Sequence, residues 1–226
     1  ARSAITVIPD DYDKDDPVAL IFAFHGRTSP NWQVRQYFRL ETPVQGEAII
    51  VYPQARSHNG SHYWTGDSEF FDVILDDLTT DYCIDRDRVF VLGHSLGASF
   101  ANDLACVKGD KIRAVASLGG AGSNISECAG RVAAMQFHNP NDQLASYSSA
   151  TYTRDWYIGR NECSDESFAI EPFWGECQSY IGCKEFSPYL WCPHEVNYDE
   201  YSGAYYPHTW PKATSEAMWA FFESLD

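Results

Sequence analysis

The stretch RVFVLGHSLGASFANDLAC (residues 88–106) joins an apolar run to a run of small and apolar residues through the motif GHSLG. The first run predicts a buried strand and the second predicts a helix, so Ser95 falls at their junction. In a G-x-S-x-G turn the serine takes a strained backbone conformation, and the flanking Gly93 and Gly97 permit the close approach that this turn needs. The motif predicts that Ser95 is a nucleophile at the N-terminus of a helix whose amides face a developing oxyanion.

Apolar runs of this kind recur along the chain and alternate with helical patterns. Buried strands are predicted at PVALIFAFHG, AIIVYPQA, IRAVASLGG and VAAMQFHN, and further helices at FFDVILDDLTTDYC and KATSEAMWAFFESL. Because strands alternate with helices, we expect an α/β fold with a mainly parallel central sheet flanked by helices. The sequence has no internal repeat, low-complexity tract or Pro/Ser-rich linker, which favours one catalytic domain over residues 1–226.

Composition and charge exclude several classes of protein. With 44% hydrophobic and 15% aromatic residues, the chain of 226 residues can bury a substantial core, so disorder is not expected. No apolar segment approaches membrane-spanning length. The formal net charge of −16 repels nucleic acid and anionic membranes, and we expect neither as a partner. A neutral or weakly acidic substrate is compatible with this charge, and we expect a soluble monomer.

Seven cysteines are many for a cytosolic enzyme, and four of them lie between Cys163 and Cys192. Disulfides formed in an oxidising compartment are the favoured interpretation. Zinc binding is the alternative, because the chain offers a group of potential ligands: Cys177, Cys183, Cys192 and His194. Their spacings match no C-x₂-C knuckle, so we expect no metal and no cofactor.

Two N-x-S sequons, at Asn59 and Asn124, agree with secretion and with glycosylation. The chain begins at Ala1 without a charged-then-apolar leader. If the protein is secreted, we expect its signal peptide to have been removed already. These features predict an extracellular protein.

A nucleophilic serine needs a general base, which is normally a histidine held by a carboxylate. Three histidines follow Ser95: His138 closes a predicted strand, His194 lies beside a cysteine, and His208 lies in the turn-rich segment YYPHTWP before the last helix. A loop in that position can reach back over the edge of the sheet. We favour His208 as the base and keep His194 as the alternative.

The acid that orients this base is predicted at Asp142, in the segment FHNPNDQLAS. The segment follows a predicted strand, and loops at the carboxyl ends of parallel strands meet in one crevice. Asp142 is also compatible with a purely structural turn role, since Asn, Pro and Asp are common turn residues. Asp155 and Asp165 are weaker candidates for the acid.

An oxyanion hole requires two backbone donors. The amide of Leu96, directly after the nucleophile, supplies one. The second is expected in the loop FHGRTS after an early strand, where Gly26 permits close approach; we predict the amide of Arg27, with that of Thr28 as the next choice. His25 is interpreted as a structural residue beneath this loop.

The segments FAFHGRT, FHNPNDQLASY, RNEC, YIGC and HTWP, together with the stretch around GHSLG, occur in an order that resembles the secreted esterases of carbohydrate esterase family 1. That family includes feruloyl esterases, acetylxylan esterases and relatives of polyhydroxybutyrate depolymerases. The resemblance covers nearly the whole chain and implies an α/β-hydrolase fold that cleaves plant cell-wall esters. It implies the same roles for Ser95 as nucleophile, Asp142 as acid and His208 as base. The segment 198–206 looks long for this family and is expected to shape the pocket.

The resemblance also bears on the cysteines. The segments RNEC and YIGC resemble a bridged pair of the family, which implies a disulfide between Cys163 and Cys183. With it we expect a bridge between Cys177 and Cys192. Cys83 precedes the nucleophile strand and Cys106 ends the following helix, so we expect these two to be bridged as well. Cys128 is then expected to be free.

The expected function is hydrolysis of hydroxycinnamoyl esters, most of all feruloyl esters of plant cell-wall polysaccharide, through an acyl-enzyme. Four residues are expected to contact the substrate: Thr28, Trp64, Tyr206 and Trp210. The aromatic members of this set would stack on a flat phenolic acid, which acetate cannot exploit. The alternatives are an acetylxylan esterase, a polyester or lipid esterase of the same fold, and a non-enzymatic glycan-binding protein.

Overall fold

A nine-stranded sheet forms the centre of the computed structural model, which describes residues 2–122, 126–170 and 176–225. The strands of the sheet, given in chain order, are β1 (Ala4–Val7), β2 (Val18–Phe24), β3 (Ala48–Pro53), β6 (Ile84–His94), β7 (Ala114–Leu118), β8 (Ala133–His138), β9 (Ser167–Ala169), β10 (Gln178–Tyr180) and β11 (Tyr189–Pro193). A separate hairpin pairs β4 (Arg56–His58) with β5 (Ser61–Tyr63).

The strand order in the large sheet is β1-β3-β2-β6-β7-β8-β11-β10-β9. The six central strands, from β3 to β11, pair in parallel with their neighbours. Antiparallel pairing is confined to β1 on one side and to β10 and β9 on the other. The carboxyl ends of the central strands therefore lie along one edge, where loops of an open α/β sheet form the ligand crevice.

Helices cover both faces of the sheet. They are α1 (Asn31–Phe38), α2 (Glu41–Val44), α3 (Ser68–Asp81), α4 (Leu96–Val107), α5 (Tyr147–Arg160) and α6 (Thr214–Glu223). Side chains of α1, α2 and α6 belong to one buried apolar cluster, and those of α3, α4 and α5 belong to a second one. Within the described ranges, no helix combines the length and hydropathy that crossing a bilayer requires.

The sequence of β2 shows why this strand lies in the middle of the sheet. Successive side chains of a strand point to opposite faces. Ala19, Ile21 and Ala23 join the cluster with α1, α2 and α6. Leu20, Phe22 and Phe24 join the cluster with α3, α4 and α5. Because both faces are covered, the strand needs an unbroken apolar run instead of alternating apolar and polar residues.

The predicted α/β-hydrolase architecture is confirmed, with a mostly parallel sheet and helices on both faces. All of the strands and helices predicted from apolar runs are present, although β6 begins at Ile84, ahead of the predicted run. The sequence patterns did not reveal α1, α2 or the short strands at the sheet edges. These elements carry mixed polar and apolar residues, and their apolar contacts come from neighbours distant in sequence.

Three disulfides are present among the described residues, and one of the expected pairings is wrong. Cys163–Cys183 and Cys177–Cys192 are bridged as expected. Cys106 is bridged to Cys128, and Cys83 is a free, partly buried thiol. The chain returns to the end of α4, where the amide of Ala129 donates to the carbonyl of Cys106 at 2.8 Å, and this return brings Cys128 beside Cys106.

Removing the Cys106–Cys128 bridge should destabilise the protein. The double variant Cys106→Ala/Cys128→Ala should lower the free energy of unfolding by about 2–4 kcal/mol, because the bridge no longer restricts the unfolded chain. The matched control, Cys83→Ala, removes no crosslink and should change it by less than about 1 kcal/mol. Urea unfolding measures both values. A non-reducing peptide map that contained a Cys83–Cys106 peptide would contradict the pairing.

Candidate active site

Ser95 occupies a strained turn between β6 and α4. Its backbone has φ 59° and ψ −127°, a conformation that is unusual for a residue other than glycine. The amide of Ser95 donates to the carbonyl of Leu118 at 2.9 Å, which ties the turn to the end of β7. A Cβ on Gly93 would collide with the backbone of Gly97, and a Cβ on Gly97 would collide with the backbone of Phe24. Both glycines are therefore required sterically for this turn.

His208 and Asp142 form a buried pair next to this turn. The Nδ1 of His208 lies 2.5 Å from Oδ2 of Asp142. The other carboxylate oxygen, Oδ1, accepts from the amides of Leu144 and Ala145 at 2.8 and 3.0 Å. Because a carboxylate only accepts hydrogen bonds, the imidazole proton lies on Nδ1. The buried Nε2 has no hydrogen-bond partner within the described residues, so its lone pair remains available to take a proton.

The ionisation of Asp142 suits the task of orienting a histidine. Burial by itself raises the pKa of this carboxyl group. The hydrogen bonds from His208 and from the Ala145 and Leu144 amides outweigh burial, and they hold the pKa of Asp142 below its ordinary value. The carboxylate is therefore charged at neutral pH and stabilises positive charge on the imidazole when Nε2 takes up a proton.

Ser95 and His208 line one cavity of about 540 Å³. This size falls in the range of small-molecule binding sites. Of the predicted site residues, Arg27, Thr28, Leu96, Tyr206 and Trp210 also line it. The loops after β2 and β8, the nucleophile turn and the segment before α6 all contribute to the cavity. Four regions of the chain that are distant in sequence thus meet at one edge of the sheet.

The two predicted oxyanion donors belong to segments next to the nucleophile. Leu96 is the first residue of α4, so its amide has no acceptor within the helix. A Cβ placed on Gly26, the residue before Arg27, would lie 3.1 Å from Cβ of Ser95, which shows how closely the loop after β2 approaches the serine. The carbonyl of Arg27 accepts from the amide of His62 at 2.8 Å and anchors this loop to β5.

The structure does not bring Trp64 to the cavity, so its expected role as a wall of the pocket is wrong. Its ring stacks on Phe100, with centroids 5.0 Å apart, and meets Phe24 edge-on. Its indole N–H donates to the carbonyl of His25 at 2.9 Å. The large apolar ring is more stable packed against other aromatic rings with its one polar atom satisfied than placed at the pocket.

Several cavity residues were not predicted from the sequence: Tyr37, His94, Ser99, Leu144, Ala145, Asp199 and Tyr201. His94 belongs to the motif GHSLG, and its position directly before the nucleophile could have indicated that it lies at the site. Asp199 and Tyr201 belong to the segment 198–206, which was expected to shape the pocket, but Tyr206 was the residue of this segment named as a substrate contact. No pattern in the sequence indicates Tyr37, because only the tertiary packing of α1 against the sheet brings this residue to the cavity.

The alternative base and the alternative zinc site do not form at the cavity. His194 is not one of the residues that line the cavity, and its Nδ1 accepts from the amide of Val196 at 3.3 Å. His138 contacts the carbonyl of Ala145 through Nε2 at 3.0 Å. Cys177, Cys183 and Cys192, the three cysteines of the zinc alternative, all form disulfides. Within the described residues no cluster of three or more potential ligands has the arrangement of a metal site.

A strained serine turn, a carboxylate–histidine pair and a shared cavity on a parallel sheet are the arrangement of a serine hydrolase of the α/β class. The profile of the Alpha/beta hydrolase family matches residues 20–218, and the chain belongs to this family. This match agrees with the α/β-hydrolase fold that the sequence motifs implied.

Similar proteins narrow the class further. A probable feruloyl esterase C of Aspergillus niger is 30% identical over 169 residues, which is 71% of this chain and 62% of that protein's length. An acetyl xylan esterase from Aspergillus awamori has a similar fold (TM-score 0.70, 14% identity, 84% of this chain and 86% of that one). A ferulic acid esterase of carbohydrate esterase family 1 from Anaeromyces mucronatus also has a similar fold (TM-score 0.65, 16% identity, covering 100% of this chain and 86% of that one). The family and these relatives support a carboxylic ester hydrolase.

Acid should unfold this protein through its buried histidines. Burial lowers the pKa of His25 and of His194 to about 4 and that of His94 to about 3, from an ordinary 6.5. Between pH 6.5 and 4 the unfolded chain takes up protons that the folded chain does not, so the free energy of unfolding falls as the pH falls. Each of these histidines contributes a loss on the order of 3 kcal/mol by pH 4.

Urea unfolding at a series of pH values measures this slope. His194→Gln should flatten it. The matched control is His58→Gln, which makes the same substitution at an exposed position on β4 and removes no buried imidazole. Equal stability of the wild-type protein at pH 7 and pH 4.5 would contradict the expectation.

Proposed function

We propose that the protein is a secreted serine esterase that works through an acyl-enzyme, with Ser95, His208 and Asp142 as its catalytic triad. One observation carries this proposal: Ser95, held at positive φ, lines the same cavity as a histidine that Asp142 orients through Nδ1. The chain order of Ser, Asp and His is the order found in this fold class. The three disulfides among the described residues favour an oxidising, extracellular setting.

The first half-reaction transfers the acyl group to the enzyme. Nε2 of His208 takes the proton of Ser95 as Oγ attacks the ester carbonyl carbon. The amides of Leu96 and Arg27 hold the resulting oxyanion, and the N-terminus of α4 adds its positive end. His208 then gives the proton to the alcohol oxygen as the carbon–oxygen bond breaks. The alcohol leaves and the acyl group stays on Ser95.

The second half-reaction returns the enzyme to its starting state. His208 takes a proton from water, and the hydroxide attacks the acyl carbon. The tetrahedral intermediate collapses, the carboxylic acid leaves, and the proton on His208 returns to Oγ of Ser95. Throughout, Asp142 stabilises the transient imidazolium and keeps Nε2 directed away from itself.

We propose a feruloyl ester of plant cell-wall polysaccharide as the substrate. The relative from Aspergillus niger is named a feruloyl esterase. The cavity walls include the rings of Tyr37, Tyr201, Tyr206 and Trp210, which suit a flat phenolic acid. Tyr206 meets the imidazole of His208 edge-on, with centroids 5.9 Å apart, so a group held at Tyr206 lies beside the base. Acetate would gain little from such walls.

Secretion is supported further by one of the two sequons. Asn59 is exposed at the turn of the β4–β5 hairpin, where a glycan can be attached without burying it. The second sequon, at Asn124, lies outside the described residues.

The triad predicts a sharp loss of activity on mutation. Ser95→Ala and His208→Ala should each lower kcat by on the order of 10⁴-fold or more, and Asp142→Asn somewhat less, because the three side chains act as one unit. Turnover of p-nitrophenyl acetate measures this loss. His194→Ala is the control, since His194 lies outside the cavity lining. Normal turnover by Ser95→Ala, or abolished turnover in His194→Ala with His208→Ala still active, would overturn the assignment.

The acyl preference is tested with methyl ferulate and methyl acetate, which share the same leaving group. Tyr206→Ala should lower kcat/KM for methyl ferulate by up to about tenfold, because an aromatic contact contributes about 0.5–1.5 kcal/mol beyond burial, and it should hardly change the value for methyl acetate. Tyr152→Ala is the matched control, an exposed tyrosine on α5 away from the cavity lining. If wild-type enzyme preferred methyl acetate tenfold or more, an acetyl esterase would replace the feruloyl esterase.

A further inference from the structure

His94, the residue before the nucleophile, connects the nucleophile turn to the backbone of the base. Its Nε2 lies 2.9 Å from the carbonyl oxygen of His208. Its Nδ1 lies 3.2 Å from the hydroxyl of Tyr37 on α1. The side chain of His94 is buried, and its ring lies 4.9 Å from the ring of His208 between centroids. Both ring nitrogens are therefore engaged, and neither is free to act as a base.

The partners of His94 determine its tautomer. A carbonyl oxygen can only accept, so Nε2 of His94 carries the proton and donates a hydrogen bond to the backbone carbonyl of His208. Nδ1 is then the acceptor, and the hydroxyl of Tyr37 donates to it. Burial also lowers the pKa of His94 to about 3, so the ring stays neutral at the pH where the imidazole of His208 must accept a proton. A charged ring in this place would oppose that protonation.

We propose that His94 is a positioning residue that fixes the backbone of His208 relative to Ser95, with Tyr37 fixing His94 in turn. The proposal rests on the proposed function, because it assigns a role relative to the catalytic base. His94 adjoins Ser95 in the chain, so the bond from Nε2 ties the base to the nucleophile through the side chain of a single residue.

The need for this link lies in the segment that carries His208. Residues 194–213 form no helix and no strand of a sheet, and their one element of regular pairing is the isolated β-bridge between Tyr198 and Tyr205. The side chain of His208 is fixed by Asp142 at one end, and a second contact on its carbonyl restricts rotation of the backbone. Next to it, the ring of Trp210 stacks on Phe38 with centroids 3.9 Å apart. Tyr37 and Phe38 are neighbours on α1, so this helix supports the base segment twice.

A pair of amide variants separates the two hydrogen bonds of His94. In His94→Gln the side-chain amide reaches the position of Nε2 and can still donate to the carbonyl of His208. In His94→Asn the shorter side chain places its amide near the position of Nδ1, so it keeps the contact with Tyr37 and loses the one with His208. The two variants share their chemistry and differ by one methylene group.

The experiment compares kcat and KM for an ester turned over by the wild-type enzyme. His94→Asn should lower kcat on the order of 10- to 100-fold with KM within about twofold, because displacement of a catalytic group by about 1 Å has an effect of this size. His94→Gln should stay within about threefold of wild type. Equal kcat for the two variants, whether both are impaired or both are normal, would overturn the proposal.

A measurement on the unmutated protein tests the same link without activity. Long-range ¹⁵N–¹H spectra at neutral pH should show His94 as the neutral tautomer with its proton on Nε2. A proton on Nδ1 would overturn the proposal even if a variant failed to fold. Ser95→Ala keeps the two hypotheses apart: its full activity would refute the triad, whereas an inactive Ser95→Ala beside equal His94→Asn and His94→Gln enzymes would refute only the link.

Discussion

The contact between the start of α4 and the end of β2 is the constraint on which the site depends. Gly97 lies so close to the backbone of Phe24 that no side chain fits between them. This contact holds Ser95 at positive φ and places it beside Gly26, so the nucleophile and the oxyanion loop are positioned together. A strained residue costs about 1–3 kcal/mol. Strand β2 and the second half of β6, from Val89 onward, are buried, and their packing offsets that cost.

The two halves of the proposed catalytic machinery are held by different means. Backbone geometry holds the serine, through the turn between a strand and a helix. Side chains hold the base, because His208 lies in an irregular segment: the carboxylate of Asp142 fixes its ring and the imidazole of His94 contacts its carbonyl. Asp199 adds a further restraint, since its carboxylate accepts from the hydroxyl of Thr209 at 3.0 Å. The serine turn therefore depends on the backbone space left by Gly93 and Gly97, whereas the alignment of the base depends on the side chains around it.

The sequence was most informative where one local pattern determines the structure. The turn at GHSLG and the unbroken apolar runs of β2 and β6 need no distant partner to be recognised. Trp64 was misplaced because an aromatic residue near a predicted loop can stack on Phe100 in the core as readily as line a pocket. The bridge from Cys106 to Cys128 was missed because it depends on how the chain returns after α4. Tyr37 gave no signal, since only tertiary packing brings α1 to the site.

The end of the sheet at β9 has a consequence for how molecules of this protein meet one another. β9 has three residues, all exposed, and one of its sides carries no neighbouring strand among the described residues. An open strand edge can pair with the same edge of a second molecule. Cys163–Cys183 joins the chain after α5 to the turn after β10, and Cys177–Cys192 joins the residue before β10 to β11. The two crosslinks therefore tie the segments around β9 to the rest of the fold, and reducing them would loosen this edge and favour intermolecular strand addition there before the parallel centre of the sheet is disturbed.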